Sequence, residues 1–465
     1  MIIKLITVLI IFPILVIIVL VSGIVLIQWI CIIKRYKYNV KSDYNYNFDR
    51  NASIQTSVQI TTNGFVWPDI ETGWDTGFLK LSINSSLFGK FLNPSIEIQY
   101  EDLIIKQCFE HGLKGVRYVN ISQLSSFNKI QGNKIYLKGC YMSWIPQNTE
   151  LILFKNDNLG DERILVVAPH PDDAEMAAFG LYSYKDTFIA TVTAGEAGEH
   201  KYKEIYTDKK IHYTAKGKLR VWDSITIPLL GGISPLRSFN MGYFDQTLER
   251  MYCNITKEVN SLYTQTSDIN TFRQFNVSNM LPVESQKATW NNLISDFASI
   301  LKKINPKVIV TTHPLLESNT DHQFASIALL KALKESDLEN GKLYLYTTNY
   351  SSFTKHYPFG FSDSIVSLPP CFDNSNIIRN YYSHALSPDQ QKEKIFVLEA
   401  MHDLRQTPPL SFKWLLNICR WRIEDWIMGI DNNIINKFVR PNELFYIIPF
   451  EESEDLVKQF WESRE

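Results

Sequence analysis

The 465-residue chain has no long basic run, no CxxC pair, no internal repeat and no extended low-complexity segment. Each absence removes a class of function. Lys and Arg number 47 against 49 Asp and Glu, a formal charge of −2, so the footprint expected of a nucleic-acid partner is missing. The six cysteines (Cys31, Cys108, Cys140, Cys253, Cys371 and Cys419) are scattered without short regular spacing. That argues against a zinc–thiolate site and against a disulfide framework. The first strand–helix turn lacks the G-x-G-x-x-G glycines, so a dinucleotide role has little support. What remains is an ordinary globular composition, 45% hydrophobic and 21% charged, with length for two or three domains.

Charge is also missing from Leu5 through Ile33, a run of 29 residues. A bilayer-spanning helix needs about 20. The run is too long for a signal-peptide core and ends QWICIIKRYK, without a small-x-small cleavage site. It predicts a transmembrane anchor and flank over 1–41, with Trp29 near one interface. Lys34, Arg35, Lys37 and Lys41 follow it. The positive-inside rule then places the large carboxy-terminal part in the cytoplasm. The expectation is a single-pass membrane protein.

Residues 42–55 are polar and read as a linker. Short alternating stretches follow, such as SVQITT, FLKLSINSS, SIEIQYEDLII and ELILFK, punctuated by Gly, Pro and Asn. They predict a small antiparallel β-sandwich within a β-rich accessory domain at 42–155. Trp67, Trp74 and Trp144 read as core rather than as sugar platforms. From Asp161 the period changes. ERILVVAPH, DTFIATVTAG, PKVIVTTHP and KLYLYTTN read as buried strands, and PLLGG as a short strand and turn. PDDAEMAAFGLYSY, KGKLRVWDSITI, SQKATWNNLISDFASILKKI and HQFASIALLKALKE read as helices. Strand–helix alternation predicts a Rossmann-like, doubly wound, mainly parallel α/β sheet over 156–387. Beyond Pro388 helical patterns return, including SFKWLLNICRWRIEDWIMG, and 388–465 is expected to be a helical extension packed on that domain.

In such sheets, sites form beyond the carboxyl ends of strands. His170 follows ILVVAP and His313 follows KVIVTT, with Asp321 and His322 shortly after. His and Asp suit zinc or another divalent cation, and a catalytic zinc takes three protein ligands. His170, Asp173 and His322 make three, which leaves Asp172 as a general base. A capping role explains one Asp after a Pro. It does not explain HPDD together with a distant His/Asp pair.

The residues APHPDDAE (168–175) and NTDHQFA (319–325) resemble the AHPDD and DH motifs of the PIG-L/LmbE-like de-N-acetylases. TVTAGEAGE (191–199), LRVWDS (219–224) and NMGYFDQTL (240–248) are similar to further motifs of that family, in order. The resemblance covers about 161–350. It implies removal of acetyl groups from N-acetylglucosamine-type sugars or glycolipids. It further implies metal ligation by His170, Asp173 and His322, Asp172 as base, and Arg220 and Asp245 near the substrate. The chain departs from the family at Asn319, where many members have a histidine. Asn can hydrogen-bond an oxyanion but cannot deliver a proton. Glu317 stands where some members have a tyrosine, and Ala174 where many have Glu. His313, His200, His212 or Asp172 itself is left to act as the acid. The expected activity is a membrane-anchored, metal-dependent deacetylase. The competing readings are a metal-dependent glycan-binding protein and an amidase on another N-acyl substrate.

Overall fold

The computed structural model describes residues 36–405 and 433–464, apart from 49–52, 71–72, 128, 157, 199–200, 203–204, 283–286, 351–353, 355, 373–377 and 379. It also describes six residues (14–16, 19, 22 and 23) ahead of them.

Nine strands come first: β1 (Ser53–Gln59), β2 (Gly64–Val66), β3 (Thr76–Ser85), β4 (Ser95–Tyr100), β5 (Leu103–Cys108), β6 (Lys114–Asn120), β7 (Lys134–Cys140), β8 (Met142–Trp144) and β9 (Asn148–Phe154). They form two antiparallel sheets. One has the order β1-β9-β3-β6, with β8 also on β3, and the other β2-β7-β4-β5. Alternation puts Leu79, Leu81 and Ile83 of β3 into one core with Ile96 and Ile98 of β4 and Ile135 of β7. Trp67 and Trp74 stack in that core with centroids 5.2 Å apart. The opposite face of β3 and β9 offers Phe78 and Phe154 to Phe48 and to Tyr381 of the main sheet. The sandwich therefore shares a core with the α/β part.

That part holds β10 (Ile164–Ala168), β11 (Thr187–Thr193), β12 (Ser238–Tyr243), β13 (Val308–Thr312), β14 (Lys342–Tyr346), β15 (Asn380–Ala385) and β16 (Asn442–Pro449). Their order is β12-β11-β10-β13-β14-β16-β15. The first five strands are parallel. β10 reads as an unbroken apolar run because both its faces are covered. Leu165 and Val167 pack on one side, with helices Trp290–Ile304 and Thr320–Lys334. Ile164, Val166 and Ala168 pack on the other, with helix Asp173–Tyr182. Each fully buried aliphatic side chain contributes about 1.5–3 kcal/mol. The sheet is thus α/β and mainly parallel, as expected.

Three expectations need correction. The single-pass membrane reading is overturned: among the described residues no helix is long and apolar enough to cross a membrane. Within 5–33 only residues 14–16, 19, 22 and 23 are described. The rest of that run lies outside the described residues. PLLGG is not a strand, since Ile227–Gly231 is a 3-10 turn closed by Gly232 at φ +81. The carboxy-terminal extension is not wholly helical. NELFYIIP forms β16, which inserts antiparallel between β14 and β15 and is buried along almost its whole length. SFKWLLNICRWRIEDWIMG lies outside the described residues.

Candidate metal and catalytic centre

From β10 the chain moves first to β11 on one side and only later to β13 on the other. The crevice between β10 and β13 is therefore a topological switch point. His170 stands just past β10, and His322 lies in the first turn of the helix after β13. Two bonds to the Pro169 carbonyl hold the β10 end, from Thr193 N–H at 3.0 Å and its hydroxyl at 2.9 Å. Thr312 donates to the His322 carbonyl at 2.7 Å.

The structure brings His170, Asp173 and His322 together. His170 Nδ1 lies 3.0 Å from His322 Nε2. Asp173 Oδ2 lies 3.2 Å from His322 Nε2 and 3.6 Å from His170 Nδ1. Four ligands about 2.05 Å from a tetrahedral zinc stand roughly 3.3 Å from one another, so these spacings bracket what zinc requires. The far nitrogens face carboxylates. His322 Nδ1 is 3.2 Å from Glu317 Oε2, and His170 Nε2 is 3.2 Å from Asp245 Oδ1 and 3.3 Å from Asp321 Oδ2. A carboxylate behind each ligand histidine is the usual support for a metal-bound imidazole. His170, Asp245 and Asp321 form a second converging group through the opposite ring nitrogen. A neutral imidazole has one lone pair, and the group with two histidines is the better donor set for zinc.

The electrostatics call for a cation. Burial pushes both imidazoles toward neutrality, but the carboxylates outweigh it: Asp245, Asp173 and Asp321 raise His170 well above its ordinary value, and Asp173 and Glu317 raise His322. Burial pushes Asp173 up, and His322 and His170 bring it below the usual carboxylate range. A divalent ion answers the same negative field.

Asp172 has a different environment. It occupies the position before helix Asp173–Tyr182, yet its side chain makes no capping bond. Its φ is +123, whereas the other non-glycine residues with positive φ, among those described, lie between 50 and 63. Strain of this kind costs about 1–3 kcal/mol and persists where surroundings enforce it. Arg220 enforces it, donating to the Pro171 carbonyl at 2.7 Å, the Gly195 carbonyl at 2.8 Å and Asp172 Oδ2 at 2.9 Å. Burial pushes the Asp172 carboxyl up, Arg220 opposes and Asp173 adds, leaving it at about 7. Asp245 accepts from Ala197 N–H at 3.3 Å as well as facing His170. Burial raises it, and His170 and Arg220 hold it well below the carboxylate range.

Asn319 caps the helix that carries His322, its Oδ1 accepting from Asp321 N–H at 2.9 Å. His313 is buried in the fold: its Nδ1 accepts from Leu315 and Leu316 N–H, and burial lowers it to about 3. His212 Nε2 meets the Lys201 carbonyl. His200 lies outside the described residues. Glu175 turns inward to the Tyr182 hydroxyl at 3.2 Å, and burial raises it to about 8. Sequence reasoning missed Glu317 and Thr348 as partners of the centre. Thr348 lies 3.3 Å from both Asp173 Oδ1 and His322 Nδ1. Its signal was available, because it lies just past β14, at the same sheet end as the histidines.

This parallel α/β sheet gathers at its switch point two imidazoles and a carboxylate that could hold a metal ion. Residues 165–333 match the PIG-L family model, described as GlcNAc-PI de-N-acetylase. Over that segment the chain is similar to the PIG-L family. No curated protein matches the chain. Among solved structures, the chain is similar to an N,N'-diacetylchitobiose deacetylase from Pyrococcus horikoshii complexed with an inhibitor. Identity is 14% over 63% of this chain and 88% of that one, with a TM-score of 0.34. It is also similar to GalB, a 4-carboxy-2-hydroxymuconate hydratase from Pseudomonas putida. Identity there is 12% over 62% and 96%, with a TM-score of 0.31.

Proposed function

We propose that the centre hydrolyses the acetamide of an N-acetylated sugar, an N-acetylglucosamine-type conjugate, to the amine and acetate. The observation that carries this is the pairing of a His170–Asp173–His322 donor set with a buried Asp172 of near-neutral proton affinity. His170, Asp173 and His322 would hold zinc or another divalent cation, which would supply Lewis acidity and lower the pKa of water to about 7.

The remaining work falls to the chain. Asp172 accepts the proton of the attacking water, and Arg220 fixes the carboxylate that receives it. The amide C–N bond breaks, and the amine must leave with a proton. His313 is buried neutral, and His212 is engaged by a backbone carbonyl. Asp172, whose carboxyl lies at about 7, is the group assigned to return the proton it took, base first and acid second. Asn319 has committed its oxygen to the helix, and its NH2 group is the donor assigned to the developing oxyanion. Arg220 and Asp245 act beside the substrate through the groups they hold, Arg220 through Asp172 and Asp245 through His170.

The test is acetate release by the full chain, zinc-loaded, from free, nucleotide-linked and lipid-linked N-acetylglucosamine. Asp172→Asn is expected to keep the metal and lose about 10²-fold or more of turnover. Full activity in that variant refutes the base assignment. Bound zinc with no acetate from any substrate points instead to a glycan-binding role or another acyl group.

A further inference from the structure

Helix Lys209–Thr226 carries Lys216, Arg220 and Asp223 at spacings of four and three residues, which places them on one face. All three are buried. The segment Met401–Arg405 lies against that face. It follows helix Pro388–Ala400 and falls outside the 165–333 domain match. Its side chains meet the helix in register. His402 Nδ1 lies 2.7 Å from Asp223 Oδ1, and His402 N–H donates to Oδ2 at 2.9 Å. Asp403 takes the two cations: Oδ1 is 3.2 Å from Lys216 Nζ and Oδ2 is 3.5 Å from Arg220 Nη1.

Arg220 therefore stands between two carboxylates. Its Nη2 holds Asp172 and its Nη1 faces Asp403. Lys216 and Arg220 are balanced by Asp172 and Asp403. Asp403 is half-buried over two buried cations, and removing it leaves part of that buried charge uncompensated and free to regroup. With Asp403 gone, the neutral Gly195 carbonyl is left to hold Nη1, and no carboxylate contact on Nη1 balances the pull of Asp172 on Nη2. The same guanidinium enforces the strained Asp172 backbone through the Pro171 and Gly195 carbonyls, so a shift of Arg220 moves the base.

We infer that Asp403 is a positioning residue: through Arg220 it sets the Asp172 carboxylate, and a segment from outside the de-N-acetylase match completes the active centre. The inference rests on the deacetylase reading for its kinetic consequence, but the contact itself is testable without turnover.

Full-chain wild type, Asp403→Asn and Asp403→Glu are assayed for acetate release on the N-acetylglucosamine conjugate that wild type hydrolyses. Asp403→Asn is expected to lower kcat on the order of tenfold or more, the scale of a misplaced catalytic group, with KM within about twofold and zinc content unchanged. Asp403→Glu is expected to recover most of the loss. An unchanged kcat, or a rise in KM alone, overturns the inference, the latter because it marks a direct substrate contact. A thermal cycle of Asp403→Asn, Arg220→Lys and the double variant reads the contact by itself. The double variant is expected to lose less Tm than the two single losses added together, because the partners share one interaction. Additive losses overturn the inference whatever the activity. Coupled losses in a protein that releases no acetate keep the contact and sink the deacetylase reading alone.

Discussion

Glu317 offers the sharpest test of the centre. One carboxylate oxygen, Oε2, lies 3.2 Å from His322 Nδ1. The other accepts the backbone N–H groups of Thr348 and Asn349. Burial pushes this carboxyl up, but His322 and the backbone donors hold it below the usual range. It is thus an anion facing Nδ1, which favours the proton on that nitrogen and leaves the Nε2 lone pair aimed at Asp173 and His170. Glu317→Gln keeps the shape. The amide oxygen can replace Oε1 on the two backbone donors, but the NH2 group then faces Nδ1. Two donors cannot share that contact, so His322 must turn or carry its proton on Nε2, where it cannot bind a metal. Support groups of this kind are worth 10–100-fold in metal affinity, or about 1.4–2.7 kcal/mol. Zinc affinity measured by competition with a chelator should fall by that factor, while Tm of the metal-free protein changes less than in His322→Ala. Equal zinc affinities in wild type and Glu317→Gln would refute the argument that this carboxylate sets the tautomer.

Gly195→Ala should cost most of the turnover. At φ +63 the added Cβ meets Arg220 Cζ at 2.8 Å and Pro171 Cδ at 2.9 Å, displacing the guanidinium that holds Asp172; unchanged kcat in that variant counts against Arg220 as the clamp. His313 makes stability depend on pH. Its folded value of about 3 lies below the unfolded 6.5, so the unfolded chain binds the extra proton. Its contribution is complete above pH 6.5 and falls by up to about 1.4 kcal/mol per pH unit as pH drops toward 3. Urea unfolding of chelated wild type and His313→Asn at pH 7, 6 and 5 should diverge in slope, and parallel lines refute the assignment. Chelation should abolish acetate release, and zinc at a hundredfold over Kd should stabilise the protein by about 2.7 kcal/mol, an effect absent in His322→Ala.

The expectations that held concern features with local causes. A strand covered on both faces must be apolar throughout, so ILVVA and VIVTT were readable without tertiary knowledge. In such sheets sites form at the carboxyl ends of strands, so spacing and residue type alone proposed His170, Asp172, Asp173 and His322 as site residues. NELFYIIP is as apolar as those strands, yet a short apolar run surrounded by helical patterns does not reveal its partner. Its place between β14 and β15 depends on a pairing with residues a hundred positions earlier. The run Leu5–Ile33 shows the opposite error, in which hydropathy alone was read as location.

By itself, then, the sequence determined the α/β alternation, the strand-end position of the HPDD and DH residues and the chemistry those residue types permit, because each depends on neighbours a few positions away. Only the tertiary structure decided which carboxylate backs which imidazole, that Arg220 clamps a strained Asp172, and that Asp403 reaches the same guanidinium from more than 180 residues later in the chain. Those contacts are set by how the sheet and its helices pack in three dimensions, and no local pattern encodes a distance across a crevice.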